Sequence, residues 1–106
     1  MIQQLLKRLQ EVYPEMVSWR RHFHQHPELS FLEGKTAEKI AEILRGFGLI
    51  VKTGVGGNGV IGVLQGKQEG KTIAFRADFD ALPITDEKEV GYKSTVQGVM
   101  HACGHD

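Results

Sequence analysis

The stretch LIVKTGVGGNGVIGVLQG, residues 49–66, is where the chain changes its period. Before it, apolar residues recur every three or four positions. From Leu49 onward they come in short β-branched runs separated by glycine, which is strand patterning. Leu49–Thr53 and Val60–Leu64 each have the length of a strand, and Asn58-Gly59 between them is a hairpin signal. GVGGNG formally fits the dinucleotide pattern G-x-G-x-x-G at Gly54, Gly56 and Gly59. That site needs a helix opening at the third glycine to hold a pyrophosphate. Val60, Ile61, Val63 and Leu64 follow instead, so these glycines are read as a hairpin turn.

Working outward, residues 34–47 predict a helix with Ala37, Ile40, Ala41 and Leu44 as its apolar stripe. Gly46 and Gly48 supply its stop. Residues 2–26 also read as helix, with Ile2, Leu5, Leu6, Leu9 and Val12 and then Met16, Trp19 and Phe23 at helical spacing. Pro14 either kinks one long helix or starts a second. Pro27 ends it, because the residue before a proline is pushed out of the α region. Downstream, Thr72–Phe75 is a third strand candidate, separated from the second by the turn-rich GKQEG at 66–70. Short connections favour antiparallel neighbours for all three strands. After Asp78 the text is loop-like to the end.

Two helices followed by about three strands open an α/β domain. They do not complete one, since a three-stranded sheet under two helices keeps a bare face and free edges. The expectation is that residues 1–106 are the opening part of a domain whose remaining helices and strands lie elsewhere.

Composition narrows the function classes. Lys plus Arg and Asp plus Glu are 13 each, so the formal net charge is zero. A nucleic-acid binder normally carries a basic excess. No apolar run approaches the length of a membrane span, and the N-terminus lacks the apolar core of a secretory signal. One cysteine cannot form an internal disulfide, and the default setting for such a chain is the cytoplasm.

Three stretches carry chemistry. RRHFHQHPEL, residues 20–29, holds His22, His24 and His26. On a helix His22 and His26 share a face while His24 points elsewhere. A histidine pair at that spacing can bind zinc, but Phe23 stands where H-E-x-x-H has its glutamate. The plainer reading is a polar helix end whose histidines suit the macrodipole. RADFDALP, residues 76–83, follows the third strand candidate. Asp78 and Asp80 are either carboxylates presented at a strand end or a turn ahead of Pro83, and both readings stand on the residues alone. MHACGHD, residues 100–106, alternates His101, Cys103 and His105, which in an extended segment face one way. Thiolate and imidazole are natural ligands for borderline divalent metals. A free thiol beside two surface histidines is the competing reading. Two or three donors do not close a metal site, so further ligands would come from His22, His24 and His26 or from beyond residue 106.

The ordered set RRHFHQHPELSF, KTAEKIAEILRGFG, GNGVIGVLQG, IAFRADFDALPI and MHACGHD resembles the start of the metal-dependent amidohydrolases that cleave N-acyl amino acids. That group includes hippurate hydrolase and the indoleacetyl-amino-acid hydrolases, within the aminoacylase–carboxypeptidase superfamily. The resemblance implies an α/β metallopeptidase-like catalytic domain with a mixed central sheet and an inserted dimerisation domain, the latter absent here. It implies Cys103 and His105 as metal ligands, His101 as a neighbour of the site, and Asp78 as the aspartate that supports the metal centre. Arg76 stands where many relatives have a ligating histidine, which points to the acyl-amino-acid branch. The implied cofactor is a pair of divalent ions (Zn, Mn, Co or Ni), and the implied substrate a small N-acyl amino acid. The full-length form is implied to be a homo-oligomer, with no nucleic-acid or membrane partner. The family's paired glutamates and remaining histidine ligands come after H-A-C-G-H-D, so the 106 residues alone are expected to be inactive. Two other outcomes are a non-enzymatic metal module built from Cys103, His105 and the histidines at 22–26, and a self-associating module.

Overall fold

A computed structural model describes residues 1–106. The first helix, α1, runs unbroken over Ile2–Gln25 with Pro14 inside it, so proline starts no second helix. Its apolar stripe is not covered: Ile2, Leu5, Leu6, Leu9, Tyr13 and Met16 are all exposed. Only the last turns of α1 engage the rest of the chain. There Trp19 meets Phe47 edge to face, with ring centroids 5.7 Å apart.

The second helix, α2, spans Gly34–Gly46. Its own N-terminal residue makes no side-chain cap. Glu28, in the stretch between the helices, does that work. Its Oε1 accepts from the Thr36 amide at 2.5 Å and the Thr36 hydroxyl at 2.6 Å, and its Oε2 from the Lys35 amide at 3.4 Å. A carboxylate at this end also meets the positive pole of the helix dipole. At the other end Gly48 takes φ +81. The Gly48 amide donates to Arg45 O at 2.9 Å and the Leu49 amide to Leu44 O at 3.2 Å. This is the double bond of a Schellman stop, which needs a left-handed residue and so favours glycine.

The two strands, β1 (Ile50–Val55) and β2 (Gly59–Val63), pair antiparallel, with Ile50 opposite Val63 and Lys52 opposite Ile61. The ladder is irregular between Lys52 and Val55, where the chain bends into the Gly56–Asn58 turn. Both strands pack on α2. A Cβ added at Gly62 would lie 2.8 Å from Leu49 and 3.2 Å from Leu44, so glycine is what lets the hairpin approach the helix.

The third strand expected at Thr72–Phe75 does not form; the sheet has two strands. Its residues have strand composition but find no ladder partner, and Ile73 and Phe75 are 78% and 97% exposed. A strand exists only when its backbone is paired, so composition without a neighbour leaves an extended segment. The interior is correspondingly sparse: seven of 106 residues are buried, and the apolar ones among them are Ala37, Ala41 and Ala81. No helix is long and apolar enough to cross a membrane.

Residues 79–106 contain no helix or strand, yet they are pinned. Leu29 bridges Ala81 in parallel, and Leu82 bridges Met100 antiparallel. The HPELS and FDALP stretches, fifty residues apart, are thereby joined, with the Ala81 amide donating to Glu28 O at 2.8 Å and the Ser30 hydroxyl to Asp80 at 2.6 Å.

Candidate metal centre

The MHACGHD stretch is not extended. Cys103–Asp106 closes a turn, with the Asp106 amide donating to Cys103 O at 3.2 Å. The Cys103 amide donates back to Asp106 Oδ2 at 3.0 Å. The expectation that His101, Cys103 and His105 face one way is therefore corrected. The side chain of Asp106 captures the Cys103 amide, and the chain folds back instead of running on. Cys103 and His105 come together, with Sγ and Nδ1 3.4 Å apart and both residues exposed. His101 turns inward. Its Nε2 is buried without a hydrogen-bond partner, while Nδ1 lies 3.9 Å from Asp106 Oδ2. Burial of that ring outweighs the pull of Asp106 and holds the imidazole pKa below its ordinary value.

The Cys103–His105 separation is a test of the donor set. With bonds of about 2.3 Å to sulfur and 2.0–2.1 Å to nitrogen, two ligands of one tetrahedral ion stand about 3.6 Å apart. The observed 3.4 Å lets this pair share either a proton or an ion. The pair opens on a cleft of about 540 Å³ that is also lined by Arg76, Asp78, Asp80 and Asp106. Asp78 is tied to Arg76 at 2.8 Å, and Asp80 to Ser30. So the structure gathers the RAD segment and the terminal motif onto one cleft. It brings no three His, Cys, Asp or Glu side chains to a common point.

The histidines of α1 go elsewhere. His22 and His26 lie with ring centroids 4.9 Å apart, facing Glu38, Lys39 and Glu42 of α2. His24 is buried, 6% exposed, and its Nε2 lies 3.1 Å from Asp86 Oδ2. Sequence reasoning missed this pair. Asp86 is itself 4% exposed, and its carboxylate also accepts from Lys88 Nζ at 2.7 Å, the Ser94 amide at 3.0 Å and the Lys88 amide at 3.1 Å. Those donors, Lys88 first and then Ser94, hold its pKa far below the usual carboxylate range.

A pH dependence follows. Because the folded state holds Asp86 ionised, its contribution is complete above its ordinary value of about 3.8 and drains away as pH falls below it. Urea midpoints should fall steadily from about pH 4 downward, and Asp86→Asn should flatten that slope. A variant as acid-sensitive as the parent would contradict this.

Residues 74–106 match the family model described as Peptidase family M20/M25/M40. The chain is 57% identical over 100 residues to YhaA of Bacillus subtilis (strain 168), covering 94% of this chain and 25% of that protein. It is 47% identical over 107 residues to the N-acyl-L-amino acid amidohydrolase of Geobacillus stearothermophilus, covering all of this chain and 29% of that one. In three dimensions it superposes on the Bacillus subtilis YXEP protein, described as a dinuclear metal binding peptidase of the M20 family. The TM-score is 0.83 at 39% identity, over 91% of this chain and 27% of the other. The chain thus spans about a quarter of the length of the relatives it matches. Residues 74–106 are thus similar to the M20/M25/M40 peptidase family, and the chain as a whole is similar to about a quarter of each relative named above.

Proposed function

We propose that residues 1–106 are the opening part of a metal-dependent amidohydrolase that hydrolyses the amide bond of N-acyl amino acids, and that Cys103 and His105 are two of its metal ligands. The observation that carries this is the 3.4 Å approach of a thiol and an imidazole at the mouth of a carboxylate-lined cleft. The printed activity of the Geobacillus relative supports the substrate class, and the dinuclear description of the YXEP protein supports two ions per site. Divalent ions in such a site polarise the amide carbonyl and activate water.

The chain's own residues have separable tasks. Cys103 would hold an ion through sulfur as a thiolate, and His105 through a ring nitrogen. Asp106 fixes the turn through the Cys103 amide. Asp78, paired with Arg76 on the wall of the same cleft, is assigned the role of supporting the centre. The remaining ligands and the glutamate that moves protons are assigned to polypeptide outside these residues. So is the module through which the complete protein forms a homo-oligomer, in the cytoplasm. The sparse interior and the unpaired Thr72–Phe75 segment support this division.

The purified 106-residue chain is expected to leave hippurate and N-acetyl amino acids intact with added Mn²⁺, Co²⁺ or Zn²⁺. The complete polypeptide is expected to cleave them and to lose activity with a chelator. Metal-dependent turnover by the 106 residues alone would overturn the division of the site.

A further inference from the structure

We infer that His24, acting through Asp86, is a positioning residue for the Cys103–His105 donor pair. This rests on the reading under which those two residues bind metal. Hydrogen bonds and short runs of backbone link His24 to that pair. His24 lies in the last turn of α1 and lines one cavity with His101 and Asp106 of the terminal motif. Its Nε2 meets Asp86 Oδ2 at 3.1 Å in a buried contact. The same Asp86 oxygen accepts the Ser94 amide at 3.0 Å, and the other gathers both nitrogens of Lys88. One carboxylate therefore closes the 86–94 loop and fastens it to the helix. The Ser94 hydroxyl then donates to Val99 O at 2.7 Å. The next residue, Met100, exchanges amide hydrogen bonds with Leu82 at 2.9 and 3.1 Å, and His101 and Cys103 follow.

Nothing else of comparable burial fixes this stretch. The segment from 83 to 99 has no helix or strand, so its course depends on side-chain anchors. A second anchor exists, at Gln25: its carbonyl accepts the Thr95 amide at 2.9 Å and the Thr95 hydroxyl at 2.6 Å. That anchor lies on the rim and would survive a change at His24. The other donors to Asp86, from Lys88 and Ser94, lie on its own loop, so His24 is the contact that fastens this carboxylate to the helix. Supporting partners of metal ligands commonly tune metal affinity by about ten- to a hundredfold, and a more remote one sits at the lower end.

The test uses the complete polypeptide, titrated with Co²⁺ and followed by sulfur-to-cobalt charge-transfer absorption. His24→Phe keeps the ring and removes the N–H; it should weaken Co²⁺ binding by about tenfold. His24→Gln, which returns an amide N–H to the Nε2 position, should bind close to the parent. Leu44→Ala, in the distant contact of α2 with the hairpin, should melt earlier and keep the parent's Co²⁺ affinity. Ser94→Ala, which cuts the path without emptying the core, should weaken binding in the same direction as His24→Phe, and it decides the matter if His24→Phe does not fold. Parent-like affinity in His24→Phe or, failing that, in Ser94→Ala would overturn the inference while leaving the metal reading intact. So would equal losses in His24→Phe and Leu44→Ala, since that pattern marks general destabilisation. A parent protein with no charge-transfer band would remove the metal reading, and this inference with it.

Discussion

Cys103→Ser in the complete polypeptide is expected to lower metal-dependent amide hydrolysis by about a thousandfold or more, which is about 4 kcal/mol of lost transition-state stabilisation. The change is small in volume, and Cys103 is exposed, so the fold should be unaffected. What changes is the donor. A serine hydroxyl stays protonated near neutral pH and is a hard, neutral oxygen, whereas sulfur binds a borderline ion as an anion. With His105 left as the only protein donor at that point of the cleft, metal content should fall together with turnover. Measuring bound metal and kcat on the same preparations checks both. A serine variant that keeps its metal and works within tenfold of the parent would sink the assignment of Cys103.

The second large effect concerns the scaffold. Glu28→Ala should destabilise the fold by about 3 kcal/mol, from two short hydrogen bonds to a charged group and its interaction with the α2 terminus. Thr36 is 4% exposed, so its amide and hydroxyl would lose their partner in a place water hardly reaches. Glu28→Gln keeps an acceptor oxygen without the charge and should fall between parent and alanine. Urea midpoints for the three proteins test this, and an alanine variant as stable as the parent would refute it. Against a typical stability of about 5–15 kcal/mol, the loss is large. It would also loosen the Leu29–Ala81 bridge that aligns the RAD segment with the cleft.

What the sequence made legible is what short-range physics decides. The Ala37–Ala41 spacing, Gly48 after α2 and the Asn58-Gly59 turn are signals contained within a few residues, and each led to the element found. The pairing of RADFDALP with the terminal motif on one cleft was legible through resemblance to a family, not through periodicity. Thr72–Phe75 was misjudged because a strand is a property of two segments, and no second segment pairs with it. His24 and Asp86 were missed for a related reason. They are 62 positions apart, and neither has a local pattern that announces the other. The one available hint was that His24 borders the Met16, Trp19 and Phe23 stripe, so burial there was foreseeable while its partner was not. The turn at Cys103–Asp106 was hidden by the alternation of His101, Cys103 and His105, which mimics a strand until Asp106 takes the Cys103 amide.

X-ray absorption at the metal edge of the complete polypeptide, loaded with zinc or cobalt, reads the donor atoms directly. A sulfur scatterer at about 2.3 Å beside nitrogen and oxygen at about 2.0–2.2 Å is predicted, with the sulfur shell vanishing in Cys103→Ala. A metal shell of nitrogen and oxygen alone in the parent, unchanged in the variant, would contradict the claim that this thiol and imidazole begin an ion site.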